Sequence, residues 1–475
     1  MTIQKAVVTA SLLLLASVTA TSQSRPQRLS RTSGSTSLTV DSSPTTAAGT
    51  TTSVSSAFTF QKQTTLTEQR ANNTSATSTF KTFLSDPGNR SISKEKSRNL
   101  LYSGSQTKLY AALMMWWGKS GHIDAGYSSL DSSQITRQVT DMQERGIDGA
   151  IVTWFGQNSY EDQATRILML EAEKRIGFEF SVMLDEGSIR WASCAGCNAT
   201  DALIAHLNYI ASAYYSSPAY MRRGGRPVVY EFGLEHFTID WVRVRASVAG
   251  NPLVIFRNGG GYDQPTSDGA YSWVAPEDVS GDDPSALKYL DWFFSQAKST
   301  ANLAKTTVAS AYPGFNDQLA TWSTNRKITE DCGQTWLKTM SETGKYYSAL
   351  TPLDSMQLVT WNDYEEGTAL ESGIDNCVSV TASLNNTVVS WEITGQQNTI
   401  DHFTIFLGDD SENLMALAEL PVTARSIDLS TFGITAGNYQ VYVRAVGKPS
   451  LRNQFSAGVP LRYLTTVRNK RPGRH

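Results

Sequence analysis

The chain has 475 residues, 40% of them hydrophobic, and a formal net charge of −3. That length permits two or three domains. A balance so near neutral gives no field that would gather nucleic acid or an acidic membrane, so the expected partner is small or neutral.

Residues 1–20 carry Lys5, the apolar run LLLLASV and then Val18-Thr19-Ala20, the three-part pattern of a secretory signal. That run is too short to span a bilayer, and no later run reaches about eighteen apolar residues, so no membrane span is expected. The protein is expected outside the cell, free or associated with a cell wall. Sequons at Asn72, Asn73, Asn89, Asn198 and Asn385 suit an exported glycoprotein. Residues 21–104 are dominated by Ser and Thr, with too few apolar side chains to offset the entropy of ordering, and read as a disordered stalk.

At Lys108 the texture changes. KLYAALMMWW has strand length, and QITRQVTDMQERG then places Ile135, Val139 and Met142 on one helical face, with Gly146 as a stop. The alternation continues through DGAIVTWF, a helix with Ala164, Ile167 and Leu168 on a face, FEFSVMLD, a helix with Leu203, Leu207 and Ile210 in register, and RPVVYEF. PLVIFRN, AYSWV, the helix PSALKYLDWFFSQA, TTVASAY, the short QTWLKTM and MQLVTW complete it. Apolar runs near 108, 148, 178, 227, 252, 270, 306 and 356 make eight strands, mostly separated by helices. Eight such units over about 250 residues predict a closed (β/α)8 TIM barrel across 105–376. An open doubly wound sheet is the competitor, but no glycine-rich nucleotide turn follows the first strand. NGGGY at 258–262 lacks the Lys-Ser/Thr of a phosphate cradle and reads as a loop.

Beyond Cys377 the hydrophobicity alternates in TVVSWEI, DHFTIFLG, NLMALAEL and NYQVYVRAV, the last with Tyr439, Val441, Val443 and Ala445 on one face. An antiparallel β-sandwich resembling a fibronectin type III module is expected over 377–466, followed by a basic, solvated tail at 467–475. In an oxidising compartment the four cysteines are expected to pair, Cys194 with Cys197 as a loop clip and Cys332 with Cys377 as a staple. No second pair of ligands completes a zinc set with Cys194 and Cys197, so no metal is expected, nor any cofactor, and the chain is expected to be a monomer.

The carboxyl ends of barrel strands form the face on which catalysis is built. Those ends supply Trp117, His122, Trp154, Asp185, Glu186, Trp273, Tyr312, Trp361, Asn362 and Tyr364 as candidate substrate contacts. Aromatic faces interleaved with carboxylates suit a sugar, whose CH faces stack while its hydroxyls seek polar groups. The last of these ends reads WNDYEEGT and crowds three acids together. If the chain turns after Trp361, Asp363 and Glu366 share a side at about 5–6 Å. At an effective dielectric of about 20 they repel by about 3 kcal/mol, worth about two pKa units, so one is expected to hold a proton near neutrality. Glycosidic cleavage needs that asymmetry. Ser-His hydrolysis and zinc proteolysis lack their parts: there are five histidines and no G-x-S-x-G or H-E-x-x-H.

VTWNDYEEGTALE resembles the W-N-D-Y-x-E segment of glycoside hydrolase family 71, the α-1,3-glucanases, and is similar to the W-N-E-W-x-E-G-T segment of family 99, the endo-α-mannan-cleaving enzymes. RGIDGAIV and RPVVYEF are in the style of the same families. The resemblance implies a polysaccharide substrate, α-1,3-glucan first and α-mannan second, with Asp363 and Glu366 as the catalytic pair, Glu366 as general acid and Asp363 as base. A non-catalytic sugar receptor on the same barrel is the reading from a different class.

Overall fold

The computed structural model describes residues 60–62, 91–192, 197–408 and 413–464. Eight parallel strands close on themselves: β1 (Lys108–Leu113), β2 (Gly149–Trp154), β3 (Glu179–Asp185), β4 (Arg226–Phe232), β5 (Leu253–Arg257), β6 (Gly269–Tyr271), β7 (Thr306–Ala311) and β8 (Ser355–Leu358). Closure comes from β8, whose Ser355 pairs with Val308 of β7 on one side and Lys108 of β1 on the other. All eight apolar runs of the sequence are barrel strands. Helices cover the outside, so both faces of each strand are buried, which is why they read as continuous apolar runs; all six residues of β2 are buried. Gly149 is fixed by this closeness: a Cβ there would lie 2.1 Å from the carbonyl oxygen of Glu179 on β3.

The helices are α1 (Ser132–Glu144), α2 (Tyr160–Ala172), α3 (Glu186–Arg190), α4 (Ala199–Tyr214), α5 (Trp241–Ser247), α6 (Leu287–Ala297) and α7 (Gln334–Glu342). Asp131, Ser159 and Asn198 cap α1, α2 and α4 by accepting from first-turn N–H groups. None of the helices among the described residues is long and apolar enough to cross a membrane.

The C-terminal part forms two antiparallel sheets. One holds β9 (Ser379–Asn385), β10 (Val388–Thr394) and β13 (Ser426–Asp428); the other holds β11 (Ile400–Gly408), β12 (Asn413–Pro421), β14 (Gly437–Gly447), β15 (Gln454–Phe455) and β16 (Val459–Tyr463). They share one apolar cluster, with Trp391 against Phe403 and Val441, Val443 and Ala445 buried beside them.

Two features differ from the sequence reading. Residues 91–104, expected in the stalk, carry structure: Ile92 is buried, Ser97 N–H donates to Arg145 O, and Arg98 forks onto the Asp148 carboxylate at 2.8 and 3.0 Å. Their polar composition hid partners supplied by the barrel. Phe60–Lys62, also within the expected stalk, adds an antiparallel strand to β12. The Cys332–Cys377 disulfide forms as expected, tying the loop before α7 to the chain leading into the C-terminal sheets. Cys194 lies outside the described residues, and with it the expected Cys194–Cys197 clip; so do residues 1–20 and 467–475.

Candidate active site

The segment after β8 folds back on itself. Asp363 accepts Glu365 N–H at 3.1 Å and Glu366 N–H at 2.9 Å on one carboxylate oxygen, and its own N–H donates to Thr360 Oγ1. This Asx-type turn bends the chain, so the aspartate shapes the loop that carries its acidic neighbours. Gly367, at φ +63°, completes the bend beside Asn316, whose N–H donates to the Glu366 carbonyl. Behind the turn, α1 and the residues flanking it hold the segment: the buried Arg145, at the end of α1, donates to Leu370 O at 2.7 Å and lies 4.9 Å from the Trp361 ring, while Gln138 of α1 and Tyr127 of the loop before it donate to the Glu371 carboxylate.

Asp363 and Glu366 both line a cavity of about 480 Å³ at the carboxyl-end mouth of the barrel. Glu366 accepts the Trp322 indole N–H at 3.0 Å. Burial drives both carboxyls upward. Asp363 is lifted well above the ordinary range, with the Glu366 charge adding to burial. Glu366 is lifted too, by burial, with the Trp322 N–H and the Arg326 charge pulling back. The pair titrates as a unit that keeps a proton where ordinary carboxylates have none.

Glu365 has a different task. Its side chain is fully buried, with Oε2 lying 2.8 Å from His122 Nδ1 and Oε1 accepting Ile123 N–H at 2.9 Å. It therefore pins the loop after β1 over the mouth. The His122 ring stacks on Trp116 at 4.8 Å and meets Trp322 edge-on, so an aromatic shelf runs from the first βα loop to the indole that touches Glu366.

The cavity's remaining wall carries Phe155, Trp191, Phe232, Trp273, Asp185 and Glu186. Burial pushes the Asp185 carboxyl to about 7, although it accepts Gly187 N–H at 2.7 Å. Glu161 is fully buried, paired with Lys119 at 2.7 Å through one oxygen, while its other oxygen has no hydrogen-bond partner among the described residues.

Of the ten expected substrate contacts, His122, Asp185, Glu186 and Trp273 line this cavity. The other six lie behind its walls, where packing and internal hydrogen bonds occupy them. Trp117 packs on Tyr364, whose hydroxyl donates to Glu371; Trp154 donates to Asp162; Tyr312 donates to Ser285 O. Trp361 is buried under Arg145, and Asn362 clasps the backbone of Met114 in both directions. Sequence reasoning missed Trp322, Trp191, Phe155, Lys119 and Glu161, which come from loops and helix starts. The signal for Trp322 was its isolation in the polar run TWSTN. Elsewhere, Glu95, Asp401 and His402 bring possible metal-ligand atoms within 4.8 Å of one another at the junction with β11, and nothing further at that spot points to an ion.

A proton-holding pair of acids, one buried and one half-buried, beside a groove walled by aromatic rings is equipment for breaking a bond between sugars, and the class of protein it defines is a glycoside hydrolase. The profile of Glycosyl hydrolase family 71 matches residues 123–370, just over half of the chain, and the chain belongs to that family. Among solved structures, the GH99 endo-alpha-mannosidase from Bacteroides thetaiotaomicron is similar in two forms. The complex with BIS-TRIS-Propane is 18% identical over 56% of this chain and 87% of its own, with a TM-score of 0.44. The other form is also 18% identical, over 56% and 88%, with a TM-score of 0.42. No curated protein matches the chain.

Proposed function

We propose that the chain is a secreted hydrolase of an α-linked polysaccharide, α-1,3-glucan first and α-mannan second, with Glu366 as general acid and Asp363 as base. The observation that carries the reading is that both carboxyls line one aromatic-walled cavity and are raised by burial, so the pair holds the proton that the reaction spends. In the direct form, Glu366 gives its proton to the glycosidic oxygen as the bond from that oxygen to the anomeric carbon breaks. A water forms the new bond to that carbon, and its proton passes to Asp363.

The domain plan goes with this reading: a signal at 1–20, a Ser/Thr-rich stalk, the catalytic barrel, and a fibronectin type III-like spacer over 377–466. The split into a three-stranded sheet and a larger one around Trp391 supports the last assignment.

The test is to incubate purified protein with α-glucans, α-mannans and β-glucans and to assay new reducing ends, beside Asp363→Asn and Glu366→Gln. Release from an α-linked polymer by the wild type and not by either variant is expected. Release from none of the α-linked polymers, with binding retained by all three forms, is the result a sugar receptor gives.

A further inference from the structure

A second cavity, of about 490 Å³, opens between the loops that follow β4 and β5 on the same face of the barrel. The partition between the two cavities is one ring and one guanidinium. Phe232 lines the first, Arg257 lines the second, and the guanidinium carbon of Arg257 stands 4.5 Å from the Phe232 ring centre.

This second cavity is braced from below. Glu231, 5% exposed at the end of β4, accepts Arg257 N–H at 2.7 Å and Leu234 N–H at 3.1 Å, which ties its two loops together. A terminal nitrogen of Arg257 pairs with Glu235, but the buried Nε has no partner among the described residues. Phe237 and Trp241 give it apolar surface. Gly260 leaves room in it, since a Cβ there would meet nothing within 4 Å.

We propose that this cavity is a remote subsite for further units of the same neutral glycan chain whose scissile bond lies at Asp363 and Glu366; the proposal rests on the hydrolase reading above. Sugar hydroxyls can accept from the exposed part of the Arg257 guanidinium and donate to Glu235, and CH faces suit Phe237. A charged ligand has less to gain, because the Arg257 charge is already answered by Glu235. A chain lying over the Phe232–Arg257 partition fills both cavities, so the enzyme rewards length. Binding energy gathered there, away from the reacting bond, is available to orient the bond at the acid pair.

The test separates binding from cleavage. Affinities are measured by calorimetry for a ladder of α-1,3-linked gluco-oligosaccharides, from disaccharide to octasaccharide, with the α-mannan series as a second arm. The proteins are Glu366→Gln and the same variant carrying Gly260→Trp, whose indole plugs the cavity from a site with space for it. A third carries Arg257→Gln. Affinity is expected to climb with length in Glu366→Gln. The plug should remove about tenfold from the longest ligands and leave the shortest within about twofold, with Arg257→Gln acting in the same sense. A plug that costs the same at every length, or nothing at any length, overturns the proposal. Hydrolysis of the ladder by wild type is scored separately: no cleavage, with a length-dependent effect of the plug, sinks the hydrolase reading and keeps the subsite.

Discussion

Glu365 and His122 meet across the barrel mouth, carboxylate oxygen to imidazole Nδ1 at 2.8 Å, although 243 residues separate them in the chain. The contact joins the loop after β8, which carries the acid pair, to the loop after β1, which carries the aromatic shelf. Glu365→Ala should therefore act on both. Losing two hydrogen bonds to a buried carboxylate costs about 2–4 kcal/mol of folding stability. Denaturant unfolding checks the stability, and KM should rise as the shelf loosens. Glu365→Gln, which can still serve Ile123 N–H, should recover part of both.

The assigned roles of Asp363 and Glu366 separate by leaving group. Each of Glu366→Gln and Asp363→Asn is expected to lower kcat on polysaccharide by about 10²–10⁴-fold. On an aryl glycoside with an acidic phenol, which leaves without protonation, Glu366→Gln should recover most of its rate and Asp363→Asn should not. The opposite pattern exchanges the two roles.

Folding stability should fall as the solution is made less acidic. Burial raises Asp185 from 3.8 to about 7 and Glu231 from 4.5 to about 7, and the Asp363–Glu366 pair moves in the same direction. Between about pH 4 and pH 7 the native chain holds protons that the unfolded chain has released. This stabilisation is complete below the unfolded values and is lost as the pH rises through the folded ones. The thermal midpoint is expected to lie several degrees higher at about pH 5 than at about pH 7.5. Asp185→Asn with Glu231→Gln should flatten that dependence; an unchanged slope would remove these groups as its source.

Glu161 lies fully buried in the wall of the same cavity and holds Lys119, which also lines it, through one oxygen. Glu161→Gln, which loosens the hold on Lys119, is expected to raise KM severalfold and to change kcat little, the mark of binding lost equally in ground and transition states. Equal losses in kcat and kcat/KM would instead assign the side chain to the chemical step.

The Cys332–Cys377 bridge closes a loop of 45 residues that contains α7, β8 and the acid turn. Replacing both cysteines with serine should cost about 2–4 kcal/mol, read by denaturant unfolding. Well below the midpoint the catalytic constants should be unchanged, because α1 and the β8 pairings hold the turn independently.

The eight strands were legible because a parallel strand covered on both faces has to be apolar throughout. The acid turn was legible because Asp363, Glu365 and Glu366 stand too close together for a passive loop. The direction of individual rings was not legible. Trp117, Trp154 and Tyr312 stand at strand ends, as the barrel rule requires, but strand residues alternate in direction, and these end in packed layers rather than in the groove. Trp322 and Trp191 could not be placed from strand positions at all, since the loops carrying them are positioned by tertiary contacts. Residues 91–104 escaped notice for a related reason: their partners Asp148, Arg145 and Leu451 lie tens to hundreds of residues away.

That early segment also has a mechanical role. Ser93 donates to Leu451 O and Ser91 O accepts from Asn453 N–H, while a few residues later Ser97 donates to Arg145 O. A pull arriving from the N-terminal side of Ser91 is thus shared between the C-terminal sheets and the helical jacket before any of it reaches Lys108. The reacting groups thus sit behind a strain relief.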